Sequence, residues 1–128
     1  MFKYSSNVTF IYYNDLEYGS NFVENILELP LVMDQGFARI YQINKTSFLG
    51  IAQLKDKIEY TGNRNTLVSF NTDDVRKEFK RVSNLDVKGL TKIQHMEQIP
   101  LDSFFFKDKE GHDFEIQHFL KKEDQLLF

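Results

Sequence analysis

The residues of this chain best placed to do chemistry lie near its C-terminal end. Read as a strand, the run from His112 to Phe119 alternates. Glu115 and Gln117 fall on one face; His112, Phe114, Ile116 and His118 fall on the other. A carboxyl group buried among aromatic rings can act as a general acid or base. Were Glu115 buried in an aromatic pocket, it could serve as such a catalytic group; Phe104 and Phe106 of the preceding strand are candidate ligand-binding residues. Gln117 and His95 would line the same place, although a lone histidine is more often structural. Arg39 and Tyr41 share one face of an earlier strand; Arg39 would pair with Glu115 or hold an anionic group of a ligand. No other catalytic spacing is present: there is no nucleophile elbow, phosphate loop or HExxH. The chain has no cysteine, which excludes disulfides, thiolate metal sites and cysteine nucleophiles.

The elements that must position these residues come from an ordinary globular composition. A chain of 128 residues normally forms one stable core. Its 13 Phe and 6 Tyr belong mostly to that core, and the remainder can line an apolar cavity. A net charge of -3 argues against non-specific nucleic-acid binding, which needs basic side chains to displace counterions. The basic run Arg76 to Arg81 is broken by Glu78 and reads as a solvated helix face. No apolar run reaches the roughly 18 residues of a membrane span. The first residues lack a hydrophobic signal core. A cytoplasmic protein without membrane or nucleic-acid partners is the expectation.

The order of elements is stated twice. Asn7 to Tyr13 reads as a strand, Asn14 or Asp15 as a helix cap, and Leu16, Phe22, Val23, Ile26 and Leu27 as one apolar helix face ended by Pro30. Strands follow at Leu31 to Asp34, Phe37 to Ile43 and Thr46 to Gln53, with Gly50 marking a bulge or a close approach, the bulge preferred. The second half repeats this. Thr66 to Asn71 is a strand, Asp73 or Asp74 a cap, and Val75, Phe79 and Val82 a helix stripe. Strands are expected over Gly89 to Glu97, Leu101 to Phe106 and His112 to Phe119, the last two joined by a turn at Lys107 to Gly111. The half-units are residues 7–54 and 65–119, within a single domain spanning 1–128. The polar linker 55–64 is a crossover or a mobile flap, and the tail from Lys121 docks on the body or on a partner subunit. The reading is an α+β fold of two βαβββ repeats, helices on one side of a curved mixed sheet and a concave pocket on the other.

The runs Val8 to Leu16, Phe22 to Leu29, Gly36 to Gly50, Val68 to Val75 and Phe104 to Gln117 resemble the glyoxalase/bleomycin resistance/dioxygenase superfamily, also called the vicinal oxygen chelate superfamily. The closing hairpin, with Asp108, Gly111 and Glu115, is the most specific piece; Lys109 departs from a common proline. The resemblance implies a cleft in which enzymes of the superfamily hold a divalent metal that binds two adjacent substrate oxygens. It also implies a ligand on the first strand of each half, one late in the fourth strand, and the glutamate matching Glu115. Here the first-strand places fall at Val8 and Leu67, which cannot coordinate an ion. Gln53 is the nearest match in the fourth strand. A carboxylate and an amide make a poor site for a hard divalent ion, so no metal and no other cofactor is expected.

Three functions compete. The first is a metal-free small-molecule-binding protein, and dimeric sequestering members of the superfamily make a homodimer the expected assembly. The second is a divalent-metal-dependent lyase or isomerase of the glyoxalase type using Glu115. The third is an interaction domain with no small ligand.

Overall fold

The computed structural model describes residues 1–59 and 65–128. Five residues of the linker, 60–64, lie outside the described residues, and with them half of the segment read as a crossover or flap. The chain divides into two compact units, residues 1–59 and 60–128. Each is a βαβββ module.

In unit 1, β1 (Asn7–Tyr13), β2 (Leu31–Asp34), β3 (Ala38–Asn44) and β4 (Ser47–Gln53) form one sheet in the order β1-β4-β3-β2. β1 runs parallel to β4, which the helical crossover requires. The helix α1 (Leu16–Asn25) begins where Asp15 accepts a hydrogen bond from the Tyr18 amide. It ends well before Pro30, not at it. Leu27 N donates to Phe22 O, Leu29 N donates to Val23 O, and Glu28 turns left-handed at φ 58°. Leu16, Phe22, Val23 and Leu27 bury against Ile11, Tyr13, Tyr41, Leu49 and Ile51. Gly50 marks no bulge. Register runs straight through it, and the Phe10 ring lies over it so closely that a Cβ would sit 2.4 Å from Phe10 Cδ1. Of the two readings of that glycine, the close approach is the correct one.

One buried group of unit 1 gives a pH signature. The Tyr41 hydroxyl donates to Glu24 Oε2 at 2.6 Å. Burial first, then that hydrogen bond, push the phenol from 10.0 up to about 12. Its neutral form stabilises the fold fully below pH 10, and that contribution is lost as pH rises toward about 12. Tyr41→Phe should flatten this alkaline loss in denaturant melts taken between about pH 9 and 12.

In unit 2, β5 (Leu67–Asn71), β6 (Gln94–Met96), β7 (Leu101–Lys107) and β8 (Asp113–Phe119) repeat the arrangement as β5-β8-β7-β6. The expected sheet is thus two four-stranded sheets, one per repeat. The helix α2 (Val75–Ser83) is capped by Asp74, which accepts from Lys77 N at 3.0 Å. Phe79 of α2 meets Phe104 edge-on, with centroids 5.2 Å apart. β6 is shorter than the expected 89–97 run. Gly89 takes φ 57°, and the Thr91 hydroxyl, in place of a backbone carbonyl, accepts from Phe105 N at 3.0 Å. The segment tracks β7 without forming a regular ladder. The tail forms α3 (Lys122–Gln125) and docks on its own unit: Phe128 stacks on Phe119 at 5.1 Å, and Gln125 Nε2 donates to Phe119 O at 2.6 Å. Among the described residues no helix is long and apolar enough to cross a membrane.

Candidate functional site

The β7–β8 hairpin carries the site, and a buried polar knot fixes the hairpin. Asp108 accepts from Glu110 N and His112 N, both at 3.0 Å, and from His112 Nδ1 at 2.8 Å. Both side chains are buried. Gly111, at φ 86°, completes the turn. The turn sets Lys107 opposite Asp113 and therefore Phe105 opposite Glu115 and Ser103 opposite Gln117. Directly paired residues share a face. Phe104, Phe106, Phe114 and Ile116 go to the core under α2. Phe105, Ser103, Glu115 and Gln117 turn to the other side.

There they line a cleft of about 580 Å³ together with Gln94, His95, Met96, Gln98, Ile99, Leu101 and Phe119. Its floor is mostly hydrocarbon and aromatic ring, and Glu115 is its single acidic residue. Among the described residues no Lys or Arg lines it. Ser69 on β5 donates its hydroxyl to Glu115 Oε1 at 2.8 Å. Glu115 Oε2 has no partner among the described residues. Gln117 Nε2 donates to Asn71 Oδ1 at 2.9 Å, which leaves the Gln117 carbonyl oxygen as an acceptor. His95 lies on the edge strand, its Nδ1 2.7 Å from Asp102 Oδ1. A smaller cavity of about 440 Å³ shares Phe119 and is bordered by Phe128 and Gln125 of the tail.

The structure brings together three of the residues singled out from sequence: Glu115, Gln117 and His95. It places the others elsewhere. Phe104 and Phe106 are fully buried core residues, and the ring beside Glu115 is Phe105. Arg39 and Tyr41 face α1. Arg39 donates to Ser20 Oγ and, at 2.6 Å, to Glu17 Oε1. That guanidinium holds the Glu17 carboxyl below its usual range. Arg39 Nε also lies 3.6 Å from Asp34 Oδ2. Its carboxylate partners within unit 1 are Glu17 and Asp34. Gln53 is committed to closing the β1–α1 turn: its Oε1 accepts from Leu16 N at 3.1 Å, and its Nε2 donates to Asn14 O at 2.7 Å. Phe105, Ser69 and Ser103 were missed, although register arithmetic from Glu115 would have found Phe105.

The described residues do not form a donor set for the divalent ion that the resemblance implies. Val8 and Leu67 carry hydrocarbon on β1 and β5, Gln53 is engaged with backbone, and Glu115 has only a serine hydroxyl beside it. Among the described residues no three His, Asp or Glu side chains gather in a way that could hold a metal. A tight divalent site takes roughly four to six such donors.

No protein-family model and no curated protein sequence matches the chain. Solved structures do. A glyoxalase/bleomycin resistance protein/dioxygenase family enzyme from Burkholderia phytofirmans PsJN aligns over 88% of this chain and 97% of its own, with a TM-score of 0.71 and 16% identity. The chain has the fold of the glyoxalase/bleomycin resistance/dioxygenase superfamily. Two further structures share this superfamily fold. A variant of the fosfomycin resistance protein FosX from Listeria monocytogenes, complexed with Mn(II) and 1S,2S-dihydroxypropylphosphonic acid, is similar over 98% of this chain and 97% of its own. The TM-score there is 0.73 and the identity 19%. The lactoylglutathione lyase from Agrobacterium tumefaciens is similar over 87% of this chain and 90% of its own, with a TM-score of 0.68 and 16% identity.

Proposed function

We propose that this chain is a small-molecule-binding protein whose ligand occupies the unit 2 cleft around Glu115, with no divalent metal in the superfamily's position. The observation that carries this reading is the make-up of the cleft wall. Phe105, Met96, Leu101 and Phe119 offer apolar surface, a few amides and one carboxylate offer orientation, and among the described residues no group of three metal-binding side chains stands beside them. Ligand sites in proteins are commonly built this way, with a mostly apolar wall and a few convergent polar groups. The ligand class is a compact aromatic or amphiphilic molecule. Binding would sequester or sense it without chemical change.

The second reading, a metal-dependent lyase or isomerase using Glu115, draws on the Mn(II) complex of FosX and on the lyase among the similar folds. Thermal melting separates the two. A ligand that binds the native state raises the melting temperature by mass action. With chelator-treated protein, naphthalene-bearing amphiphiles at about 1 mM are expected to raise it by a few degrees. Mn(II), Ni(II) and Zn(II) at about 0.1 mM are expected to leave it within about 1 °C. A rise with one of these ions that disappears in Glu115→Gln would support the enzyme reading and overturn the metal-free one.

A further inference from the structure

The charge pattern of the cleft carries the proposed function one step further, to the kind of ligand. Among the described residues Glu115 is the single acidic residue of the wall, no Lys or Arg faces it there, and one of its oxygens is already oriented by Ser69. Its other oxygen has no partner among the described residues. Two positions along the same face, Gln117 gives one of its two amide hydrogens to Asn71, which orients the amide and leaves its carbonyl oxygen as an acceptor. Two acceptors, one of them anionic, therefore stand side by side above an apolar floor. A carboxylate in such a place gains most from a ligand that brings its own positive charge and N–H donors. Around it, Phe105 offers a ring face that favours cations. The chain's net charge of -3 favours approach of the same sign of ligand.

We propose that the unit 2 cleft selects organic cations: molecules with a protonated primary or secondary amine on an aromatic or hydrophobic body. The ammonium bonds to Glu115 Oε2 and Gln117 Oε1, and the body lies across Phe105, Met96 and Phe119. This rests on the small-molecule-binding reading above, and deepens it.

The test uses three probes of one shape: 2-naphthylmethylamine, 2-naphthylmethanol and 2-naphthylacetate, titrated calorimetrically into the full chain near pH 7. The amine is expected to bind at least about tenfold more tightly than the alcohol, with the acid weakest. In Glu115→Gln, which can still accept from Ser69, the amine and alcohol should come within about twofold of each other. Gln117→Leu should weaken the amine by a few fold and spare the alcohol. If amine and alcohol bind the unaltered chain equally, the cation assignment is overturned while the cleft reading stands. If none of the three binds, the cleft reading falls and the assignment falls with it.

Discussion

Phe104→Ala should cost this protein about 3–5 kcal/mol, whereas Phe105→Ala, one residue on, should cost about 1 kcal/mol. Phe104 is fully buried, with Phe79 and Phe106 against its ring. Truncating it leaves a cavity between the sheet and α2 that the surrounding aromatic rings cannot collapse to fill. Phe105 stands on the opposite side of β7, half-buried, across from Glu115. Its loss removes a cross-strand neighbour and part of the cleft floor, and little core. The pair also separates stability from binding. Phe105→Ala should retain the fold and lose about tenfold in affinity for a naphthalene-bearing ligand. Denaturant melts and binding titrations of the two variants measure this. Equal destabilisation by both would mean that the β7–β8 register is not as described.

Asp108→Ala should be the second large effect, about 3 kcal/mol or more. The substitution strips the acceptor from two backbone amides and one imidazole nitrogen, all within a turn whose side chains are nearly sealed from water. Buried donors left unpaired cost about 1–3 kcal/mol each, and water entering the loosened turn recovers part of that. Lys109→Ala, in the same turn, removes an exposed ion pair with Asp86 at 3.1 Å and should leave stability nearly unchanged, because solvent screens such a pair. Because this turn sets which residues face Glu115, Asp108→Ala should also weaken ligand binding in whatever fraction remains folded. Chemical denaturation of both variants, followed by circular dichroism, measures the contrast.

Much of the backbone was readable from local chemistry. β1 has the bounds that its β-branched and aromatic run suggested, β2 has its expected bounds, and both long helices start at aspartate caps. The duplicated order of elements pointed to two βαβββ modules and so to the superfamily fold. What failed was the assignment of faces. On β7 the information was present: any turn that pairs Phe104 or Phe106 with Phe114 or Ile116 puts them on the helix side, and Phe105 with Glu115. On β3 the pattern itself misled. Arg39 and Tyr41 look like an open polar face, yet they lie on the helix side because α1 supplies Glu17, Ser20 and Glu24 as partners. Those partners sit some twenty residues away, and nothing local to β3 announces them. Gln53 misled for a related reason, since its amide closes the turn that follows the neighbouring parallel strand, some forty residues earlier in the chain.

The most direct test of a metal-free ligand site around Glu115 is a ¹H–¹⁵N NMR titration of chelator-treated protein with 2-naphthylmethylamine. The backbone amides of Phe105, Glu115, Gln117 and Met96 should shift together and saturate with one ligand per chain, with chelator present throughout. Shifts confined to other residues, or shifts at these four that arise only after Mn(II) or Zn(II) is added, would contradict the account.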